Sequence, residues 1–148
     1  MKHTIFFLIV SLTFVGCNKV KRQAKKDDKI IQDYIESHSL TATKTGSGLY
    51  VVIDEPGGGA TCHGQSDVTV AYKGYFTTDA VFDQSSAQGA TFNLANVIEG
   101  WTEGIPYFRE GGSGKLLIPS ALGYGPTQKG SIPANSVLIF DVHLLDVL

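Results

Sequence analysis

Glu99 and Glu103 stand four apart in the stretch NVIEGWTEGIPYF, residues Asn96 to Phe108, a spacing that on a helix brings two carboxylates to one face. Such a pair can divide acid and base roles only if one member keeps a proton. Nothing beside them would hold one, so solvated like charges are the favoured reading. Cys62 and His63 are both metal-ligand types, yet neighbours on an extended chain face opposite ways, and no second ligand pair lies at useful spacing. No metal site is expected, and Cys62 reads as a loop thiol. Gly111-Gly112-Ser113-Gly114 lacks the spacing of a nucleophile elbow. Gly57-Gly58-Gly59 lacks the Lys-Ser/Thr pair and following helix of a phosphate cradle. His143 alternates with Leu144 and reads as a strand-face residue rather than a base.

Aromatic side chains are abundant instead: Tyr72, Tyr75, Phe76, Phe82, Phe92, Trp101, Tyr107, Phe108, Tyr124 and Phe140. Most are expected in the core, since rings supply large buried area. Phe82, however, is followed by Asp83, and Tyr124 lies in the loop sequence Gly123-Tyr124-Gly125-Pro126. Polar tips among rings suit a pocket that grips an apolar, weakly polar ligand. Trp101, the single tryptophan, is either core packing or the floor of that pocket. Periodicity leaves the choice open, because Gly100, Gly104 and Pro106 interrupt the helical pattern.

The elements that must position these residues are mostly strands. Leu49 to Ile53 is a β-branched and aromatic run closed by the turn Pro56-Gly57-Gly58-Gly59. Asp67 to Phe76 alternates, with Val68, Val70, Tyr72 and Gly74 on one face, as a half-buried strand does. Shorter β segments are predicted at Val81-Phe82, at Thr91 to Leu94 and at Lys115 to Pro119. A long one follows from Ser136 to Val147, where Val137, Ile139 and Asp141 alternate with Leu138, Phe140 and Val142. Repeated crossover helices are missing, so an α+β fold with an antiparallel sheet is expected rather than a parallel one. Ile30, Ile31, Tyr34 and Ile35 recur at helical spacing behind Asp27 and Asp28, predicting a helix of about two to three turns near residues 28 to 38.

The N-terminus points to export. Lys2 and His3 precede an apolar run from Ile5 to Val15, too short to span a bilayer and patterned like a signal segment. Phe14-Val15-Gly16-Cys17 resembles the lipobox of bacterial lipoproteins, with Phe14 where leucine is usual; the resemblance implies that Cys17 is lipidated. A plain cleaved signal or an apolar anchor is the alternative. Removing residues 1–16 from the 148 leaves 132, enough for one domain and a tail. Residues 17–28 are polar and charged, and are expected to form a flexible basic tether near lipid headgroups. A helix and linker over 29–47 and a domain over 48–148 complete the division. From Ser37 onward five basic residues face ten acidic ones, a net charge of −5 with no basic stripe. That balance argues against nucleic acid as a partner.

Five segments in order resemble the FKBP-type peptidyl-prolyl isomerases: Val68 to Gly74 (VTVAYKG), Val81 to Ser85 (VFDQS), Val97 to Trp101 (VIEGW), Ala121 to Gly125 (ALGYG) and Ile132 to Val142 (IPANSVLIFDV). Together they cover about residues 48 to 148. The resemblance implies a curved antiparallel sheet wrapped around one short α-helix, with the site between them. It implies that Tyr72, Phe82, Asp83, Tyr124 and Phe140 act on the substrate and that Phe92, Val97, Ile98, Trp101 and Ile132 bind it. In that arrangement Trp101 starts the short helix and floors the pocket, while the Val97-Ile98 backbone offers an edge to a peptide. Tyr124 donates to a substrate carbonyl, and Asp83 is held by Tyr72. The loop from Pro126 to Ser131 is about one residue shorter than in the small cytosolic members, and Ala134 stands where a second proline is frequent. The resemblance implies that this loop edges the site, so the departure bears on substrate preference.

The resemblance further implies X-Pro isomerisation without cofactor or metal, acting as a monomer on proline-containing segments of exported proteins. Macrolide inhibitors of the family are expected ligands. With the lipobox, the location implied is the bacterial cell envelope, lipid-anchored to a membrane and facing the periplasm. A catalytically weak binding module serving as chaperone or assembly factor is the alternative, and a small-molecule carrier ranks last.

Overall fold

The computed structural model describes residues 13–148, so positions 1–12 of the expected signal lie outside the described residues. Helix α1 runs Thr13–Ser37. Strands β1 (Thr43–Lys44), β2 (Tyr50–Glu55), β3 (Asp67–Tyr75), β4 (Val81–Gln84) and β5 (Ala90–Asn93) follow. Then come the six-residue helix α2 (Glu99–Gly104), β6 (Ser113–Ile118) and β7 (Leu138–Val147). The strands form one antiparallel sheet in the order β1-β2-β6-β7-β3-β4, with β5 also paired to β3. This is the expected α+β architecture.

Strand alternation sorts the side chains into two cores. Val68 and Val70 of β3, Leu116 and Ile118 of β6, and Leu138, Phe140, Val142 and Leu144 of β7 cluster with Trp101 and Ile105. Their neighbours of opposite parity, Leu117 and Ile139, cluster with Tyr50, Val52, Tyr75 and, from α1, Ile31 and Tyr34. One sheet is therefore covered on both faces, by α2 and by α1. The near-continuous apolar run in β7 follows from burial on two sides.

The N-terminal helix departs from expectation. It spans 25 residues rather than two or three turns, and it takes in residues 17–28, expected to be a flexible tether. Asp27 and Asp28, expected at the start of the helix, lie inside it. Composition counted only apolar burial, which that segment lacks; Lys, Arg, Gln and Ala are nonetheless strong helix formers. Pairs four apart support the turns, with Lys29 Nζ on Asp33 Oδ1 at 2.8 Å and Gln32 Nε2 on Asp28 Oδ2 at 3.0 Å. Asp28 also binds Lys44 at 2.5 Å and accepts from the Tyr50 hydroxyl at 2.8 Å. Lys44 holds its carboxyl below the usual range. No helix among the described residues is long and apolar enough to cross a membrane.

Glycines place α2. A Cβ on Gly100 would lie 2.6 Å from Ile118 Cγ2, and one on Gly104 would lie 2.6 Å from Leu116 Cδ2. The two glycines that break the helical pattern in the sequence are thus what lets this helix rest on β6. Ordinary side chains at both positions would lift it off the sheet.

Candidate active site

Trp101 is set by that close approach. Its backbone N–H donates to Ile98 O at 2.9 Å, closing the first turn of α2, and the side chain is 4 % exposed. Three rings meet the indole edge-on: Tyr72 at 5.1 Å, Phe140 at 5.3 Å and Phe92 at 5.4 Å between centroids. This T-shaped geometry suits the quadrupoles of aromatic rings. Phe82 in turn packs edge-on against Phe140 at 5.5 Å. Trp101 Nε1 is the one buried side-chain polar atom without a partner among the described residues.

Above this cluster opens a cavity of about 670 Å³. All ten residues expected in a site line it: Tyr72, Phe82, Asp83, Phe92, Val97, Ile98, Trp101, Tyr124, Ile132 and Phe140. They come from β3, β4, β5, α2 with the segment before it, the two loops after β6, and β7. Lys129, Gly130 and Ser131, from the loop expected to edge the site, also line it, as does Asn96, which sequence reasoning missed. Its neighbour Val97 was the available signal, since a wall seldom ends at one residue. The Lys129–Ser131 rim is a tight turn, closed by reciprocal backbone bonds between Lys129 and Ile132 at 2.9 Å each.

A residue that touches no ligand completes the aromatic wall. A Cβ on Gly74 would fall 2.7 Å from Phe140 Cε1 and 2.7 Å from Phe82 Cε2. Gly74 is paired with Asp83 on β4 and with Phe140 on β7, so both rings fold over its bare backbone.

Polar groups lie on one side. The Tyr72 hydroxyl donates to Asp83 Oδ2 at 2.8 Å. Burial first, and the Asp83 carboxylate second, push the Tyr72 phenol up to about 12. Burial and then the charge of Asp83 also raise the Tyr124 phenol. Both hydroxyls therefore remain protonated donors at neutral pH. Tyr124 is 36 % exposed, accessible to a ligand in the cavity.

The other reactive pairs stay outside. Neither glutamate of the opening segment lines the cavity, and Glu103 accepts from Ser47 Oγ at 2.7 Å. Cys62 is half-buried against the main core, with its thiol pushed up by burial. Among the described residues no three metal-ligating side chains come together. The arrangement can enclose an apolar ring, exclude water from it and donate a hydrogen bond to a carbonyl.

Comparison with known proteins gives the same outline. A family model described as FKBP-type peptidyl-prolyl cis-trans isomerase matches residues 58–145. The peptidyl-prolyl isomerase FkpA of Buchnera aphidicola from Schizaphis graminum is 40 % identical over 136 residues, covering 87 % of this chain and 54 % of its own. The crystal structure of FkpA from Escherichia coli superposes with a TM-score of 0.74 at 35 % identity, over 88 % of this chain and 63 % of that one. A peptidyl-prolyl isomerase crystal structure from Pseudomonas syringae gives a TM-score of 0.71 at 26 % identity, over 86 % and 94 % of the two chains. The chain spans about half the length of the curated relatives it matches.

Proposed function

This chain belongs to the FKBP-type peptidyl-prolyl cis-trans isomerase family, and we propose that it catalyses rotation about X-Pro bonds in exported polypeptides. The observation that carries the reading is the cavity floored by Trp101 and walled by Phe82, Phe92 and Phe140, with a protonated Tyr124 at its edge.

The chemistry needs no nucleophile. Amide resonance sets a barrier of about 18–20 kcal/mol against rotation, and unaided X-Pro isomerisation takes tens to hundreds of seconds. In the twisted transition state resonance is lost, and the amide is less polar than in its planar form. A dry aromatic enclosure favours the twisted form. Phe82, Trp101 and Phe140 hold the proline ring, and the Tyr124 hydroxyl holds the substrate carbonyl, so binding energy is realised as the bond twists. Asp83 keeps Tyr72 in place through their 2.8 Å bond. Val97 and Ile98 offer backbone to the peptide, and Trp101 Nε1 is a buried donor without a partner among the described residues. Macrolide inhibitors of the family are the expected competitors for the same enclosure.

The N-terminal sequence supports an exported lipoprotein, cleaved before Cys17 and anchored there in the cell envelope to face the periplasm. Assisting the folding of exported proteins near the membrane is the corresponding role. Cys17→Ala is expected to release the protein into the soluble fraction; retention through washing after signal cleavage would refute the anchor.

A protease-free assay of cis-to-trans rotation on a short proline peptide tests the activity. Wild type should exceed buffer clearly, with Phe82→Ala and Tyr124→Phe reduced. Wild-type rates equal to buffer would leave a binding module without turnover.

A further inference from the structure

Helix α1 lies outside the span matched by the family model, yet one of its side chains reaches the loop that carries Tyr124. We propose that Asp27 is a positioning residue that sets the Tyr124 hydroxyl for its ligand by clamping Ser120; this rests on the proline-pocket reading above.

Asp27 is fully buried and Ser120 is 2 % exposed. Asp27 Oδ2 accepts from the Ser120 backbone N–H at 2.9 Å and from Ser120 Oγ at 2.5 Å, while Oδ1 accepts from Gln23 Nε2 at 2.7 Å. Ser120 opens a single 3₁₀ turn, Ser120–Leu122, directly before the tyrosine loop. Its carbonyl accepts from Gly123 N at 3.0 Å and from Gly125 N at 2.8 Å, the two neighbours of Tyr124. Gly125 O then accepts from Asn135 N at 2.8 Å, tying the loop to the segment that enters β7. One residue thus fixes the backbone on both sides of Tyr124 through its carbonyl, and Asp27 holds that residue through its N–H and Oγ from the far helix.

Docking of the helix does not require this carboxylate. Ile31 and Tyr34 already pack into the second core, and Asp28 is paired with Lys44 and Tyr50. Burying a carboxylate is costly unless its hydrogen bonds are made, and an apolar residue would hold a helix at least as well. What the carboxylate adds is direction, in two bonds to one residue. Leu122 anchors the start of this loop in the main core, but Tyr124 itself is exposed, and there such direction matters.

The test is a double-mutant cycle on the mature chain, combining Asp27→Ala with Tyr124→Phe. It is read as kcat/KM for a proline peptide and as that peptide's dissociation constant from Trp101 fluorescence. Asp27→Ala should weaken both about three- to tenfold with Tyr124 present, and change them less than about twofold once the hydroxyl is gone. Asp27→Asn, which keeps an acceptor for Ser120, should recover most of the loss. Amide exchange at Gly123 and Gly125 should quicken in the alanine variant; Ser120→Ala is a milder substitution for the same measurements should the alanine variant not fold. An equal loss in both backgrounds, or wild-type exchange at the two glycines, overturns the proposal. A wild type that binds peptide without turnover removes the isomerase reading alone, since the cycle is then read in binding.

Discussion

Tyr72 and Asp83 face each other across the β3–β4 edge of the cavity, hydroxyl to carboxylate at 2.8 Å. The bond engages the carboxyl as an acceptor, and burial together with this bond raises the Tyr72 phenol. The proposed rotation about X-Pro bonds needs enclosure and orientation rather than proton transfer.

Stability at alkaline pH carries its signature. A phenol whose folded pKa is raised contributes stability that is full below the unfolded value of 10.0 and is lost as pH climbs toward about 12 for Tyr72. Tyr75, raised by burial and by its bond to Asp141, adds to the loss. The urea midpoint should fall with rising pH from about pH 10 upward. Phenolate absorbance should rise at higher pH in the folded protein than in urea. Tyr72→Phe should flatten part of the decline; an unchanged slope would mean that Tyr72 titrates normally.

Gly74→Ala should damage the site more than the fold. Relief of backbone entropy favours alanine by about 0.5–1 kcal/mol, but overpacking costs about 1–3 kcal/mol. The crowded atoms belong to Phe82 and Phe140, which line the cavity. A loss of about tenfold in kcat/KM with at most about 2.5 kcal/mol of stability is expected. Peptide kinetics and urea titration measure the two losses separately.

Gly104→Ala sets helix propensity against packing. Alanine gains about 1 kcal/mol in a helix, whereas a Cβ 2.6 Å from fully buried Leu116 costs about 1–3 kcal/mol. Net destabilisation of up to about 2 kcal/mol is expected, with Trp101 emission altered as α2 lifts. Gly58→Ala, where no atom lies within 4 Å, is the neutral control. A more stable Gly104→Ala protein would show that α2 does not depend on this contact.

Because Trp101 is the only tryptophan, its fluorescence reports the pocket directly. Addition of a proline peptide or a family macrolide should change the emission, and Phe82→Ala should weaken that response. Calorimetric binding without any change in emission would place the ligand away from the indole.

Much of this architecture was legible in local pattern. Alternation in Asp67 to Phe76 and in Ser136 to Val147 marked β3 and β7, because a strand buried by face repeats every second residue. The ordered motifs brought ten residues forward as a set, and the fold gathers all ten at one cavity. Their roles await the measurements above. The Lys129–Ser131 rim was legible only through the family resemblance, and Asn96 was not legible, since both join the wall through loop closure rather than through residue type.

Sequence alone determined which residues are apolar, aromatic or able to turn, and with them the strand pattern and the family. Tertiary structure decided what local pattern cannot express. Gly100 and Gly104 read as helix breakers until a sheet lies against them. Asp27 and its neighbours read as a solvated tether until Ser120, 93 positions away, supplies donors for a buried carboxylate. Trp101 could have been core or floor; it is buried at its edges by three rings yet lines an open cavity, a position set by contacts distant in the chain. Local propensity depends on nearby residues, whereas close approach and polar satisfaction depend on partners brought together only by the fold.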